Sequence, residues 1–469
     1  MQSSAAVRVF RIIFIALLTV TLMGLRPGVK PAASQVAASQ VAASQVAAPK
    51  TPVIFLHGIT GSFLRNPSGE AWPREGETAR SLSDDHFDVL RLRSDGVTPY
   101  YPTDPDYQIS VDRENGIGGL IDQVELCLLS ACVGLSDVYG PTFSHLEDKG
   151  YRLGADLFAL AFDWRRDIDT NAGLLLDEID RVRARTGAAT VNLVAHSQGG
   201  LVTRAALASP RSVGKVDRVA TLGTPVLGAT RFLGVLDYRE PCQSAELFGG
   251  CILNCAQTQR LVTNWPGALA LLPSPTYYQA YNSPINRLIG DDGDGRITGY
   301  LSRSAVRTRL ADRNLALIDQ ATSLHQRIDR WAPADPSVEL TQFVGTGLGS
   351  IVRVEEFLTE ECSGYWWWRK CKLVESFRMQ YGNGDGTVAQ HAADVYKPTA
   401  GLDLRGGATN RYVAGVHCRG GRCDHGLTAA AHRCGPARDR PANDRWAEGT
   451  RDACEPRRSG VDVAGSSGR

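Results

Sequence analysis

The sequence predicts an α/β protein with a mostly parallel central sheet and a helical insertion late in the chain. Three observations carry that expectation. Short apolar runs of strand character alternate with amphipathic helical patterns across residues 156–222, and the joints between them are short enough for βαβ units. One run, Val191-Asn192-Leu193-Val194, passes straight through Ala195-His196-Ser197-Gln198-Gly199-Gly200 into a helix marked by Val202, Ala205, Ala206 and Leu207. The alternation then lapses over 226–335, which reads as helical and Pro-interrupted, before a strand returns at Val338.

At 469 residues, 43% of them hydrophobic and 22% charged, the chain has a globular composition and room for one large domain with insertions. A net charge of +1 leaves no electrostatic footprint for nucleic acid, so no nucleic-acid partner is expected. Arg8 and Arg11 precede the apolar run 12–25, the pattern of a signal peptide or N-terminal anchor over 1–26. Three copies of Ala-Ala-Ser-Gln-Val then make 27–50 a flexible linker. Export suits the eleven cysteines, an odd number that leaves at least one free or intermolecular. The domain is expected to span 51–436, with an Arg-, Gly- and Ser-rich disordered tail over 437–469.

Within that domain Pro52-Val53-Ile54-Phe55-Leu56 reads as a buried strand, followed by the loop His57-Gly58-Ile59-Thr60-Gly61-Ser62. Residues 66–138 show few clear elements; Cys127 and Cys132 are close enough to staple a small loop, or are a pair of buried thiols. A helix around 142–149, a strand ending in Asp163-Trp164-Arg165 and a helix over 171–186 capped by Gly187 lead to the 191–200 stretch. A strand that becomes a helix within a few residues leaves its turn residue strained and exposed, and needs small neighbours because the two backbones nearly touch. This is the nucleophile elbow of the α/β-hydrolase fold, G-x-S-x-G, with Ala195 in place of the first glycine, and it makes Ser197 the candidate nucleophile. The competing reading is a buried turn of another α/β fold in which His196-Ser197-Gln198 is incidental. In the α/β-hydrolase fold the N–H after the nucleophile and one from the loop after an early strand bind the oxyanion; here they would belong to Gln198 and Ile59.

Val216 to Leu222 is the next strand, and the insertion 226–335 is expected to cap the active site. Inside it, Asp291-Asp292-Gly293-Asp294-Gly295 resembles part of a calcium loop. Gly290 and Leu301 would then fill its first and last ligand positions without side-chain oxygens, so an acidic surface turn is the better reading and no metal is expected. After the strand at 338–344 comes a hairpin of 351–357 and 371–381. It flanks Trp366-Trp367-Trp368-Arg369-Lys370, rings beside cations that suit either a membrane surface or packing onto the cap.

A serine nucleophile needs a base, and the base an orienting carboxylate, in the order Ser, Asp/Glu, His for this fold. Asp385 lies in the glycine-rich turn Gly384-Asp385-Gly386-Thr387-Val388 after a late strand, and is the candidate acid. Of the downstream histidines, His391 is too near Asp385 and opens a helix. His425 precedes the small, apolar Gly426-Leu427-Thr428-Ala429-Ala430 and is preferred as base; His417 is the alternative. No His/Cys/Asp spacing suggests zinc, and no cofactor is expected.

Taken in order, residues 52–62, Phe162-Asp163-Trp164-Arg165, 195–200, Leu222-Gly223-Thr224-Pro225, Leu272-Pro273-Ser274, Gly345-Thr346-Gly347 and 384–388 resemble the lecithin–cholesterol acyltransferase and lysosomal phospholipase family. The resemblance runs from about 51 to 430 with 66–138 essentially unmatched. It departs from the family at Leu56-His57-Gly58, where Val-Pro-Gly is usual, and at the Trp-rich hairpin. It implies Ser197, Asp385 and His425 as catalytic residues, Ile59 and Gln198 as oxyanion donors, and a lipid acyl ester as substrate with water or an alcohol as acceptor. Two other functions remain open: a non-catalytic lipid-binding protein, and a peptidase or amidase on the same fold.

Overall fold

The computed structural model describes residues 50–73, 85–128, 131–239, 246–247, 250–251, 255–288, 299–365, 368–394, 411–419 and 422–423. The signal-like segment and its linker, the acidic turn at 291–295, Trp366, Trp367, His425 and the tail from 437 lie outside these residues.

The principal strands in chain order are β1 (Val53–Leu56), β2 (Leu157–Leu160), β3 (Val191–His196), β4 (Val216–Leu222), β5 (Ile285–Arg287), β6 (Gly299–Tyr300), β7 (Glu339–Thr346), β8 (Leu348–Ser363), β9 (Lys370–Gly384), β10 (Arg411–Arg419) and β11 (Arg422–Cys423). A central sheet has the order β11-β10-β7-β4-β3-β1-β2. Every neighbouring pair in it is parallel except β10 with β11. All four residues of β1 are buried, as a parallel strand covered on both faces requires.

The helices α1 (Gly140–Asp148), α2 (Ile168–Thr186) and α3 (Gln198–Leu207) accompany this sheet. Helix α2 begins three residues before its apolar pattern suggests, because Asp167 caps it by accepting from the Asp169 and Thr170 N–H groups. Gly187 ends it at φ 72°, a left-handed conformation glycine takes without a Cβ penalty. Ile168, Ala172, Leu175, Ile179 and Val182 form its buried stripe. Every residue of α3 is buried, so this short helix is enclosed in the core.

Between β4 and β7 the described residues carry the expected helices, α4 (Thr230–Leu233), α5 (Cys255–Val262), α6 (Pro266–Leu269), α7 (Pro275–Tyr281), α8 (Arg303–Arg309) and α9 (Leu315–Ile328). The same stretch also contributes β5 and β6, which complete a second sheet of order β6-β5-β8-β9. The β8–β9 hairpin is longer than the sequence pattern suggests, pairing from Leu348↔Gly384 out to Ser363↔Lys370, with Cys362 and Cys371 joined as a disulfide. Buried Glu356 anchors its base, accepting from Tyr238 Oη at 2.8 Å and pairing with Arg287 at 3.1 Å and with Arg309. Residues 66–138 also hold more structure than expected: strands Gly69–Trp72 and Ser110–Val111 flank Leu64–Asn66. A hairpin of Gln123–Leu128 and Ala131–Asp137 sets the Cys127 backbone opposite Cys132.

Candidate active site

Ser197 stands between β3 and α3 at φ 50°, ψ −121°. A non-glycine residue there costs on the order of 1–3 kcal/mol, so its surroundings must impose it. The Ser197 N–H is tied to Leu222 O at 2.9 Å, which holds the turn to β4. Gly199 and Gly200 permit the close approach: a Cβ on Gly199 would lie 2.5 Å from His57 O, and one on Gly200 2.0 Å from Thr224 Oγ1. The Gln198 side chain fixes the start of α3 by donating from Nε2 to Trp164 O (3.0 Å) and Gly267 O (2.9 Å). Asp163-Trp164-Arg165 is thereby explained as scaffold. Arg165 pairs with Asp163 at 2.7 Å and donates to Leu90 O at 3.1 Å, while Trp164 is fully buried between Trp72 and Trp265.

The loop after β1 lies against the same serine. A Cβ on Gly58 would sit 2.8 Å from Ser197 Cβ and 3.3 Å from its Oγ. Thr60 at φ 61° turns the loop back, and Trp72 Nε1 holds its carbonyl at 3.0 Å. Among the described residues no protein acceptor takes the Ile59 or Gln198 N–H. Two backbone donors beside a serine at a helix N-terminus can together stabilise an anion.

Asp385 follows β9, and its Oδ1 accepts from the Thr387 (2.8 Å) and Val388 (2.7 Å) N–H groups. The side chain lies across the ends of β7 and β4. A Cβ on Gly345 would meet Asp385 Cβ at 2.4 Å, and one on Gly223 would meet Oδ2 at 2.9 Å. Burial pushes its pKa up, against the two N–H groups and the Arg231 charge, which pull it down. Ser197, the Ile59 loop and Asp385 thus gather at the carboxyl ends of β1, β3, β4 and β7, where open parallel sheets place ligands. The His417 backbone pairs with Thr346 at the same end, and β10 then turns back through β11 to Cys423, two residues before His425.

His391 does belong to a helix, α10 (Gln390–Ala393). Its Nε2 stands 3.0 Å from Tyr277 Oη, and burial lowers its pKa to about 4. The one cluster of metal-capable side chains among the described residues, Glu360 with Cys362 and Cys371, has its sulfurs tied up in the disulfide. Sequence reasoning missed Arg231, a half-buried cation on α4 that is felt at Asp385. It also missed the contacts of Tyr139 and His57 around Gly58.

The parallel sheet order, its flanking helices and the strand–turn–helix at Ser197 are those of the α/β-hydrolase fold. The family model described as lecithin:cholesterol acyltransferase matches residues 81–295, so the resemblance read from the motifs holds over that stretch. The match includes Ser197 and much of 66–138, which the motifs left unmatched, and ends before Asp385. Among solved structures, the chain is similar to one in the crystal structure of the Tle4–Tli4 complex, at 16% identity over 73% of this chain and 88% of that one, with a TM-score of 0.43. It is also similar to the Bacillus licheniformis lipase BlEst2 in mature form (14%, 64% and 68%, TM-score 0.26). A third is phospholipase PlaB from Legionella pneumophila (11%, 71% and 50%, TM-score 0.23). No curated protein matches.

Proposed function

We propose that the protein is an exported serine hydrolase of lipid acyl esters, with Ser197 as nucleophile, His425 as base and Asp385 as the acid that orients it. The observation that carries this reading is Ser197 itself, held in a strained turn beside two unused backbone donors and one strand-end away from a buried carboxylate. His425 takes the Ser197 proton as Oγ attacks the ester carbonyl, and the Ile59 and Gln198 N–H groups receive the developing oxyanion. The alcohol leaves with the proton from His425. Water or a second alcohol, deprotonated by the same imidazole, then releases the acyl group. The reaction uses side chains and backbone alone.

The lecithin:cholesterol acyltransferase match supports a lipid acyl group as the substrate. The segment 226–335 serves as a cap over the acyl chain. Hydrolysis is the default outcome, because water outnumbers any lipid alcohol unless the site excludes it. Incubation with mixed phospholipid vesicles, with and without a long-chain alcohol or sterol, tests this reading. Free fatty acid should appear, and ester product should rise with acceptor concentration. A product ratio that stays at zero up to saturating acceptor removes transfer and leaves a lipase. No turnover and no fluorophosphonate labelling of Ser197 would favour a non-catalytic lipid-binding protein. Cleavage of amides in preference to esters would favour a peptidase.

A further inference from the structure

The loop that carries Ile59 is held by side chains that no motif marks. Tyr139, the residue before α1, is buried, and its hydroxyl stands 2.8 Å from the Gly58 N and 3.0 Å from His196 Nδ1. The Gly58 N–H can only donate, so the phenol oxygen accepts it and shares a second hydrogen bond with the imidazole of His196, the residue before Ser197. One hydroxyl thereby joins the loop after β1 to the end of β3. Its fit is close, since a Cβ on Gly61 would lie 2.8 Å from that oxygen. On the far side of Gly58, its carbonyl sits 2.7 Å from His57 Nδ1 and accepts the Gly61 N–H at 3.1 Å. His57 Nε2 accepts the Phe162 N–H at 3.1 Å, and the ring stacks on Phe162 with centroids 3.9 Å apart. With Nε2 accepting, the proton is on Nδ1, so His57 donates to Gly58 O.

The Gly58 carbonyl and the Ile59 N–H belong to one planar trans peptide and point in opposite directions. Fixing the carbonyl therefore aims the N–H. Fixing the preceding peptide through Tyr139 sets where that plane starts.

We propose that Tyr139 and His57 are positioning residues that hold the Gly58–Ile59 peptide with its N–H directed at the oxyanion formed on Ser197. This rests on the hydrolase reading above. Neither residue touches substrate; both act through the backbone. His57 replaces the proline usual in the resembling family, and it supplies a donor that proline lacks.

The test is Tyr139→Phe, which keeps the ring and removes only the hydroxyl. Active sites are titrated with a fluorophosphonate so that rates refer to folded enzyme. With a soluble p-nitrophenyl ester, kcat should fall about 10- to 100-fold, below the 10²–10³ loss seen when an oxyanion donor is removed outright, while KM stays within about twofold. Affinity for an alkylboronic acid, whose tetrahedral adduct occupies the oxyanion site, should fall by the same factor as kcat. His57→Phe keeps the stack on Phe162 and gives an independent arm should Tyr139→Phe fold poorly. It should show the same split, and the double variant should lose little more than the worse single one, because both residues hold the same peptide. An unchanged kcat per titrated site, or strictly additive losses, overturns the proposal while an inactive Ser197→Ala enzyme leaves the hydrolase reading standing. A Ser197→Ala enzyme as active as the parent overturns both.

Discussion

Ser197 combines a conformation that costs stability with a hydroxyl that makes no hydrogen bond among the described residues, a combination that packing alone does not require. Ser197→Ala should leave the fold intact and lower kcat by on the order of 10⁶, the loss expected when a triad nucleophile is removed. For the base, His425→Ala should match the serine variant, and His417→Ala should cost little beyond the stability of the hairpin that follows β10; the opposite ranking would make His417 the base. At this scale the sequence was legible where chemistry is local. Ser197 with its small neighbours, and Asp385 between glycines, sit in contiguous motifs whose spacing reflects backbone geometry. Tyr139 was not legible, because its partner Gly58 is 81 residues away and the contact leaves no pattern along the chain. Nor was Arg231, which sits in a run of helix without a motif.

The β8–β9 hairpin shows what hides an element from its sequence. Glu355 and Glu356 are only 6% and 4% exposed; Arg378 pairs with the first at 2.7 Å, while Tyr238 and Arg309 donate to Oε1 of the second and the Arg287 charge stands 3.1 Å from its Oε2. Those two charges lie within the stretch that still reads as strand; the outer residues 358–363 are mostly exposed on both faces, carry no apolar alternation, and so read as loop. Strand β5, at three residues, is too short to show any period. Beyond Phe357 the hairpin is exposed on both faces, and a two-stranded ribbon is marginal without support, which the Cys362–Cys371 disulfide supplies. At its tip Tyr365 and Trp368 are 65% and 54% exposed, beside Arg369 and Lys370. That exposure favours a lipid surface over packing of Trp368 onto the cap. Changing Trp366, Trp367 and Trp368 to serine should therefore lower the rate on phospholipid vesicles about tenfold or more, the loss of three interfacial rings, and spare soluble short-chain esters. Equal losses on both substrates would assign the rings to packing.

Among the described residues, four imidazoles couple stability to pH. Burial lowers His57, His196 and His391 to about 4, each from an ordinary value near 6.5. Between those values the unfolded chain binds protons that the folded one refuses, so their contribution is complete above pH 6.5 and is lost as pH falls toward 4. His325 has the opposite sign. Burial works to lower its pKa, but the Asp329 carboxylate at 2.7 Å raises it overall, so its contribution is full below 6.5 and is lost on the alkaline side. Asp237 and Asp385, raised by burial, also tilt the acid range the other way. A difference experiment removes these opposing terms. His391→Gln keeps a donor within reach of Tyr277 Oη but cannot titrate. Urea unfolding of parent and variant at pH 7 and pH 5 should show the parent losing on the order of 2 kcal/mol more than the variant over that interval, the linkage expected of one imidazole held near 4. Parallel losses in the two proteins would mean that His391 takes up its proton as readily folded as unfolded, and that its contact with Tyr277 places no constraint on its charge.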